Sequence, residues 1–181
     1  MLKWLIRRRL AAFEREYDYD AGYGRDILDA DLRAALAFNK LNAMADYRRD
    51  IPADAVTAAA LVATMAEDCG PCTQLVVTKA ERGGVPAALI RAVIAGDERQ
   101  MTDAARLAFR FARATLAHDP AADAWRAEIE ARWGRRALIS LAFAIAAGRL
   151  YPTVKYAMGH GKSCQRLRVG GVVTPVLRAA A

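Results

Sequence analysis

The chain has 181 residues, of which 55% are hydrophobic and 26% charged, with a formal net charge of +7. That balance fits one globular domain with a tail and excludes a disordered, collagenous or low-complexity chain. Alanine supplies 41 residues against 12 glycines and 6 prolines, so helix is expected almost throughout, giving an all-α fold of about eight helices.

Residues 2–17 read as an amphipathic helix, and Tyr17 to Gly24 as a loop rich in Asp and Gly. Ile27, Leu28, Leu32, Ala35, Leu36 and Phe38 recur at threes and fours, which predicts one helix from Arg25 to Arg49, stopped by Pro52. Residues 53–66 are apolar all round, the mark of a buried helix. Pro71 opens a helix that Gly83 and Gly84 end, and Pro86 opens a short one closed by Gly96. Thr102 is the expected N-cap of a helix to Ala117, and Asp119-Pro120 the expected start of another to Trp133. A long helix follows Gly134 to about Met158, with a kink or break near Pro152. The tail, 161–181, is expected to be extended over the body or a neighbour, and no alternating strand pattern is evident.

The charge sits at the ends. Residues 1–10 hold four basic side chains and residues 155–181 hold five, neither with an acid, while the 144 between them sum to −2. No basic stripe lies on a recognisable nucleic-acid motif, so no nucleic-acid partner is expected. One short basic helix holds a membrane only weakly, and the charged ends read as serving solubility and packing in an oligomer. No signal-peptide core follows the first basic residues. The longest nearly uncharged run, Ala137 to Gly148, spans only about 18 Å as helix, so no stable membrane insertion is expected. With only three cysteines, the expected setting is reducing and cytoplasmic.

Cys69-Gly70-Pro71-Cys72 carries the chemistry. Two cysteines at i and i+3 around a helix start can close a disulfide with little backbone movement, and the helix N-terminus favours a thiolate. Glu67 and Asp68 directly precede the pair; either can exchange a proton with a thiol, while their charge opposes thiolate formation. Two other readings stand beside a redox pair. One is a structural zinc site of Cys69, Cys72, His160 and Cys164; the other is two buried structural cysteines. Gly-Pro is also the thioredoxin dipeptide, but a buried helix rather than a strand precedes it here, which excludes that fold.

The surroundings of the motif suggest a family. A buried Ala-rich helix leads into CxxC at the start of the next. AERGGVPAALIRAVIAGD (80–97), FRFARATLAHDP (109–120) and ALISLAFAIAAGRLYPTVKYAMGHGKSC (137–164) follow. Over residues 40–164 the chain resembles the alkylhydroperoxidase D-like (AhpD-like) branch of the carboxymuconolactone decarboxylase superfamily. Residues 1–39 then form an N-terminal helical extension and 165–181 an extended tail. The resemblance implies a helical homo-oligomer (dimer, trimer or hexamer) acting as a thiol-dependent peroxidase or disulfide oxidoreductase without a cofactor. It also implies a small hydroperoxide substrate and a thiol or lipoyl protein as reductant, with Cys72 attacking and Cys69 resolving. The chain departs from the branch pattern at three places. Val76 stands where the histidine of C-x-x-C-x-x-x-H falls, Gly70-Pro71 where a histidine often lies between the cysteines, and Thr57 at the upstream relay glutamate. Glu67 is the substitute that proximity suggests, and His160, between Gly159 and Gly161, is a second candidate base. The expected catalytic set is therefore Cys69, Cys72, Glu67 and His160. The alternative is a non-catalytic AhpD-like helical oligomer.

Other residues have plainer readings. His118 is expected partly buried at a helix end, and Cys164 as a lone tail thiol or a third redox partner. Trp125, Trp133, Phe109, Phe111, Phe143, Tyr151 and Tyr156 fall at core spacing. Asn39 and Asn42 in an apolar helix are expected to be buried amides needing partners. Gly161-Lys162-Ser163 is no phosphate loop, because Tyr156 stands where its first glycine belongs.

Overall fold

The computed structural model of the chain describes residues 1–162 and 166–176. Among them are nine α-helices and one two-stranded sheet: α1 (Leu2–Tyr17), α2 (Gly22–Ala30), α3 (Leu32–Ala45), α4 (Ala53–Ala66), α5 (Gly70–Arg82), α6 (Ala87–Ala95), α7 (Asp103–Leu116), α8 (Ala122–Trp133), α9 (Arg135–Ala157), β1 (Arg166–Val169) and β2 (Val172–Pro175). The fold is all-α, with one helix more than expected because Asp31 divides the run from Arg25 to Arg49. Its backbone is extended, and its carboxylate accepts the Arg33 N–H at 2.8 Å, closing α2 and capping α3.

The apolar character of α4 places it at the centre. It packs against α7, α9 and α5, and buries Ala55, Ala58, Ala59, Leu61, Val62 and Ala63. Alanine and glycine let these helices approach closely. A Cβ on Gly148 of α9 would stand 2.6 Å from the Ala63 Cβ, so only glycine fits that crossing. Ile90, Leu107, Phe109, Phe111, Ile129 and Leu141 complete the core from the surrounding helices. Thr102 caps α7 as expected, accepting the Ala105 N–H at 3.1 Å. Asp119 does not cap α8 directly. It holds a turn through the Ala121 N–H, and the helix starts at Ala122.

Two further expectations, those for Pro152 and for the tail, are corrected. Pro152 neither breaks nor ends α9, which runs through it for 23 residues; the ring is buried, and packing holds the helix on either side. By length and composition α9 is one helix able to cross a membrane, longer than the Ala137 to Gly148 run because its window tolerates Arg149. Here it buries Ala137, Ser140, Leu141, Ala144 and Ile145 within the bundle. Part of the tail is a hairpin, with β1 and β2 antiparallel around Gly170 and Gly171, both at positive φ. It lies on α5 and α6 and inserts Leu167 and Val169 into the core. Four-residue strands carry too little alternation to announce themselves.

The N-terminal extension has a small core of its own. Tyr19, Ala21 and Tyr23 are buried with Leu10, Phe13 and Phe38, and Leu75 of α5 and Val154 of α9 pack against them. This seats α1 and α2 beside the start of α5 and the end of α9.

Candidate redox site

The chain turns sharply between α4 and α5. Glu67 ends α4, and Asp68 takes a left-handed conformation (φ 50°). Cys69 is the extended N-cap of α5, and Pro71 sits in the first turn, where its missing N–H leaves no helix bond unmade. Cys72 then comes back over Cys69, and the two form a disulfide with their Cα atoms 5.3 Å apart. Cys69 is fully buried and Cys72 is 5% exposed. The Thr73 hydroxyl and N–H both donate to the Cys69 carbonyl at 2.9 Å, fixing the N-cap geometry.

The segment after α9 lies across this turn. The Gly70 N–H donates to the Lys162 carbonyl at 3.0 Å, and the Tyr156 hydroxyl donates to the Asp68 carbonyl at 2.8 Å. Gly161 permits the arrangement, since a Cβ there would fall 2.1 Å from the Tyr156 ring. Residues 156–162 thus form a strap over the cysteines. With the Gly70 N–H engaged and Pro71 lacking one, two of the donors that would stabilise a thiolate at this helix start are already gone.

Glu67 and His160 are both engaged. The Glu67 carboxylate accepts from the Arg149 Nε at 2.7 Å, clamping the end of α4 to α9. His160 Nε2 lies 2.7 Å from Asp26 Oδ2 on α2, and its ring stands beside Gly22 and Tyr23. The structure therefore joins Cys69 to Cys72, sets Glu67 next to them in an ion pair, and turns His160 toward the extension. Val76 packs half-buried against the main core, and Thr57 is buried in α4. Cys164 lies outside the described residues. Among the described residues no group of three His, Cys, Asp or Glu side chains is placed to hold a metal, and the zinc set needs Cys164, which lies outside them.

Several residues that sequence reasoning passed over tie the strap to the extension. Lys162 Nζ is 3.8 Å from Asp20 Oδ2, and the Gly22 N–H donates to the same aspartate at 2.8 Å, holding its carboxyl below the usual range. Lys155, only 2% exposed, donates to the Tyr19 hydroxyl at 3.2 Å; its ammonium stands 4.5 Å and 5.3 Å from the ring centres of Tyr19 and Tyr23. Burial lowers the Lys155 pKa, against the pull of the Asp20 charge. Burial likewise raises the phenol pKa of Tyr19 and Tyr23. The run Gly159-His160-Gly161 is the one signal of a tight turn here. Nothing local pairs it with Asp20 or Asp26.

The remaining readings divide. Phe109 and Phe111 are buried, Trp125 and Trp133 line the core edge, and Phe143 and Tyr151 meet Tyr47 and Phe38 edge to face. Tyr156 is 44% exposed instead of core, because it serves the strap. Asn39 and Asn42 are exposed and pair with each other at 3.1 Å, and Asn42 also accepts from the Tyr151 hydroxyl at 2.8 Å. His118 is exposed, one residue past the C-cap of α7 in a left-handed conformation (φ 54°) that turns it off the apolar face. No family model, curated protein or solved structure matches the chain.

Proposed function

We propose that this chain is an AhpD-like thiol oxidoreductase that reduces small hydroperoxides by cycling Cys69 and Cys72 between dithiol and disulfide. The observation that supports the reading is the Cys69–Cys72 disulfide at the start of α5, a two-electron couple set in an all-α bundle. In the reduced protein the Cys72 thiolate attacks one peroxide oxygen. An S–O bond forms, the O–O bond breaks, and the departing alkoxide takes a proton to leave as alcohol. The Cys69 sulfur then attacks the Cys72 sulfenic acid; the S–S bond forms and water leaves. A dithiol partner, thiol or lipoyl, returns two electrons by disulfide exchange. Glu67 and Asp68 directly precede Cys69, and Glu67 is the proton carrier proposed. It is shared with Arg149, and Val76 supplies no base, so the chemical step is slow.

The same proposal places the protein in a reducing cytoplasm as a homo-oligomer, with no nucleic-acid partner and no stable membrane insertion. Ala142 and Ala146 of α9 and Leu36 of α3 leave apolar surface exposed for a second copy. A second reading, a non-catalytic helical oligomer, is favoured by one observation: both substitute bases, Glu67 and His160, already hold ionic partners. Hydroperoxide consumption with dithiothreitol as electron source separates the two. Catalytic turnover that disappears in Cys72→Ser supports the oxidoreductase. A rate no different from dithiothreitol alone supports the second reading.

A further inference from the structure

We infer that the outward face of α1 docks reversibly on an anionic phospholipid bilayer, a property beyond the redox reading and independent of it. This 16-residue helix buries no residue fully. Its inner edge is committed to the protein: Leu10, Phe13 and Tyr17 pack on the small core, while Lys3 and Arg7 reach Asp29 of α2. Its outer edge is not. Trp4 is 57% exposed, Leu2 and Leu5 nearly half exposed, so three large apolar side chains stand in solvent within little more than one turn. Arg8 lies over the Trp4 ring at 5.6 Å, and Arg9 follows Leu5 at i+4. Among the described residues neither Arg8 nor Arg9 makes an ion pair, and α1 has no acid before Glu14, which turns inward to the Ala21 N–H and Arg25.

Three exposed apolar side chains interleaved with two arginines that make no ion pair among the described residues are what an anionic bilayer surface accepts. The indole and leucines enter the headgroup boundary while the guanidinium groups meet lipid phosphates. A second copy packed on the same face would set Arg8 and Arg9 against their own equivalents, a like-charge contact. A nucleic-acid backbone would meet the arginines but leave Leu2 and Leu5 without apolar partners. The contact is peripheral, since no part of α1 is long enough to span a bilayer.

Co-sedimentation of the full chain, tagged only at its C-terminus, with phosphatidylserine–phosphatidylcholine vesicles at low salt tests this. The expected result is binding that falls steeply with added salt and is weak on pure phosphatidylcholine. Each arginine near an anionic surface is worth about 1 kcal/mol, so R8Q/R9Q should weaken partitioning about thirtyfold. W4S/L5S should weaken it about tenfold or more. All four side chains are exposed, so circular dichroism and the Cys69–Cys72 state should not change. Quenching by brominated lipid should reach Trp4, disappear in W4F, and leave Trp125 and Trp133 unquenched. Absence of vesicle binding at low salt overturns the inference, as does binding unaltered by both double variants. A change of oligomer mass in W4S/L5S without lipid binding, or binding to RNA but not to vesicles, overturns it equally.

Discussion

At the scale of the residue, the site turns on Gly161. Its contact with the Tyr156 ring brings the Lys162 carbonyl to the Gly70 N–H, and the same tyrosine holds the Asp68 carbonyl. A methyl group there cannot be absorbed by rotating the ring, because the phenol oxygen is anchored. Gly161→Ala is therefore expected to lower stability by about 1–3 kcal/mol, the range for overpacking. It should also speed reduction of the disulfide by a small dithiol. Thermal melts and timed alkylation check the two effects. Faster melting with unchanged reduction would mean that the strap does not govern access to the sulfurs.

At the scale of the element, the N-terminal extension and the strap act together. Asp26 holds His160 and Asp20 stands by Lys162, so α2 and the turn before it keep residues 156–162 across the start of α5. Each pair is partly exposed and worth about 0.2–1 kcal/mol. Removing both in Asp20→Asn/Asp26→Asn should favour local opening by roughly 1 kcal/mol, about a fivefold gain in the rate at which tris(2-carboxyethyl)phosphine reduces the disulfide. An unchanged rate would show that opening does not involve the extension. Legibility in the sequence divides along the same line. Elements announced by local chemistry were readable: the apolar run of α4, Thr102 as a cap, Gly96 as a stop, and Cys69 and Cys72 at a helix start. What depends on distant partners, or on whether a polar residue takes a helix-interior or a capping role, was not. Asp31 looks like any polar position until its carboxylate is seen to cap α3. The short hairpin of β1 and β2 is fastened to α5 by Gln74, which takes the Arg168 N–H at 2.8 Å and gives to its carbonyl at 3.0 Å, 94 residues away. Glu67 and His160 stood out as possible bases, yet Arg149 and Asp26, which occupy them, lie 82 and 134 residues away.

At the scale of the whole molecule, two contributions to stability can be separated. Closing the short loop from Cys69 to Cys72 restricts the unfolded chain by about 2 kcal/mol in the loop-entropy picture. Reduced protein should therefore be less stable in urea unfolding by that amount, with a lower midpoint and an unchanged slope, and Cys69→Ser/Cys72→Ser should match it. The buried phenols set the alkaline limit. Tyr19 and Tyr23 are held above their ordinary value by burial, and Tyr151, raised by burial and by the nearby Tyr23 phenol, is pushed up to about 12. Groups whose pKa is raised on folding stabilise fully below the unfolded value near 10, and that stability is lost as pH rises through the folded value. Lys155 acts oppositely. Its lowered pKa costs stability while the unfolded chain binds the extra proton, and the cost fades as pH approaches its ordinary value. Melting temperature should hold or rise slightly up to about pH 10 and fall between about 10 and 12. The fall should be shallower in Tyr23→Phe. An equal fall in that variant would assign the alkaline limit elsewhere.

The most direct test of the central claim follows the cysteines of fully reduced protein after one equivalent of hydrogen peroxide or an organic hydroperoxide, by timed alkylation and mass mapping. The account predicts a Cys69–Cys72 disulfide within minutes, with one alcohol released per bond formed from the organic peroxide and no such bond in Cys72→Ser. Both thiols remaining alkylatable after an hour at neutral pH would contradict it and leave the pair as a structural link.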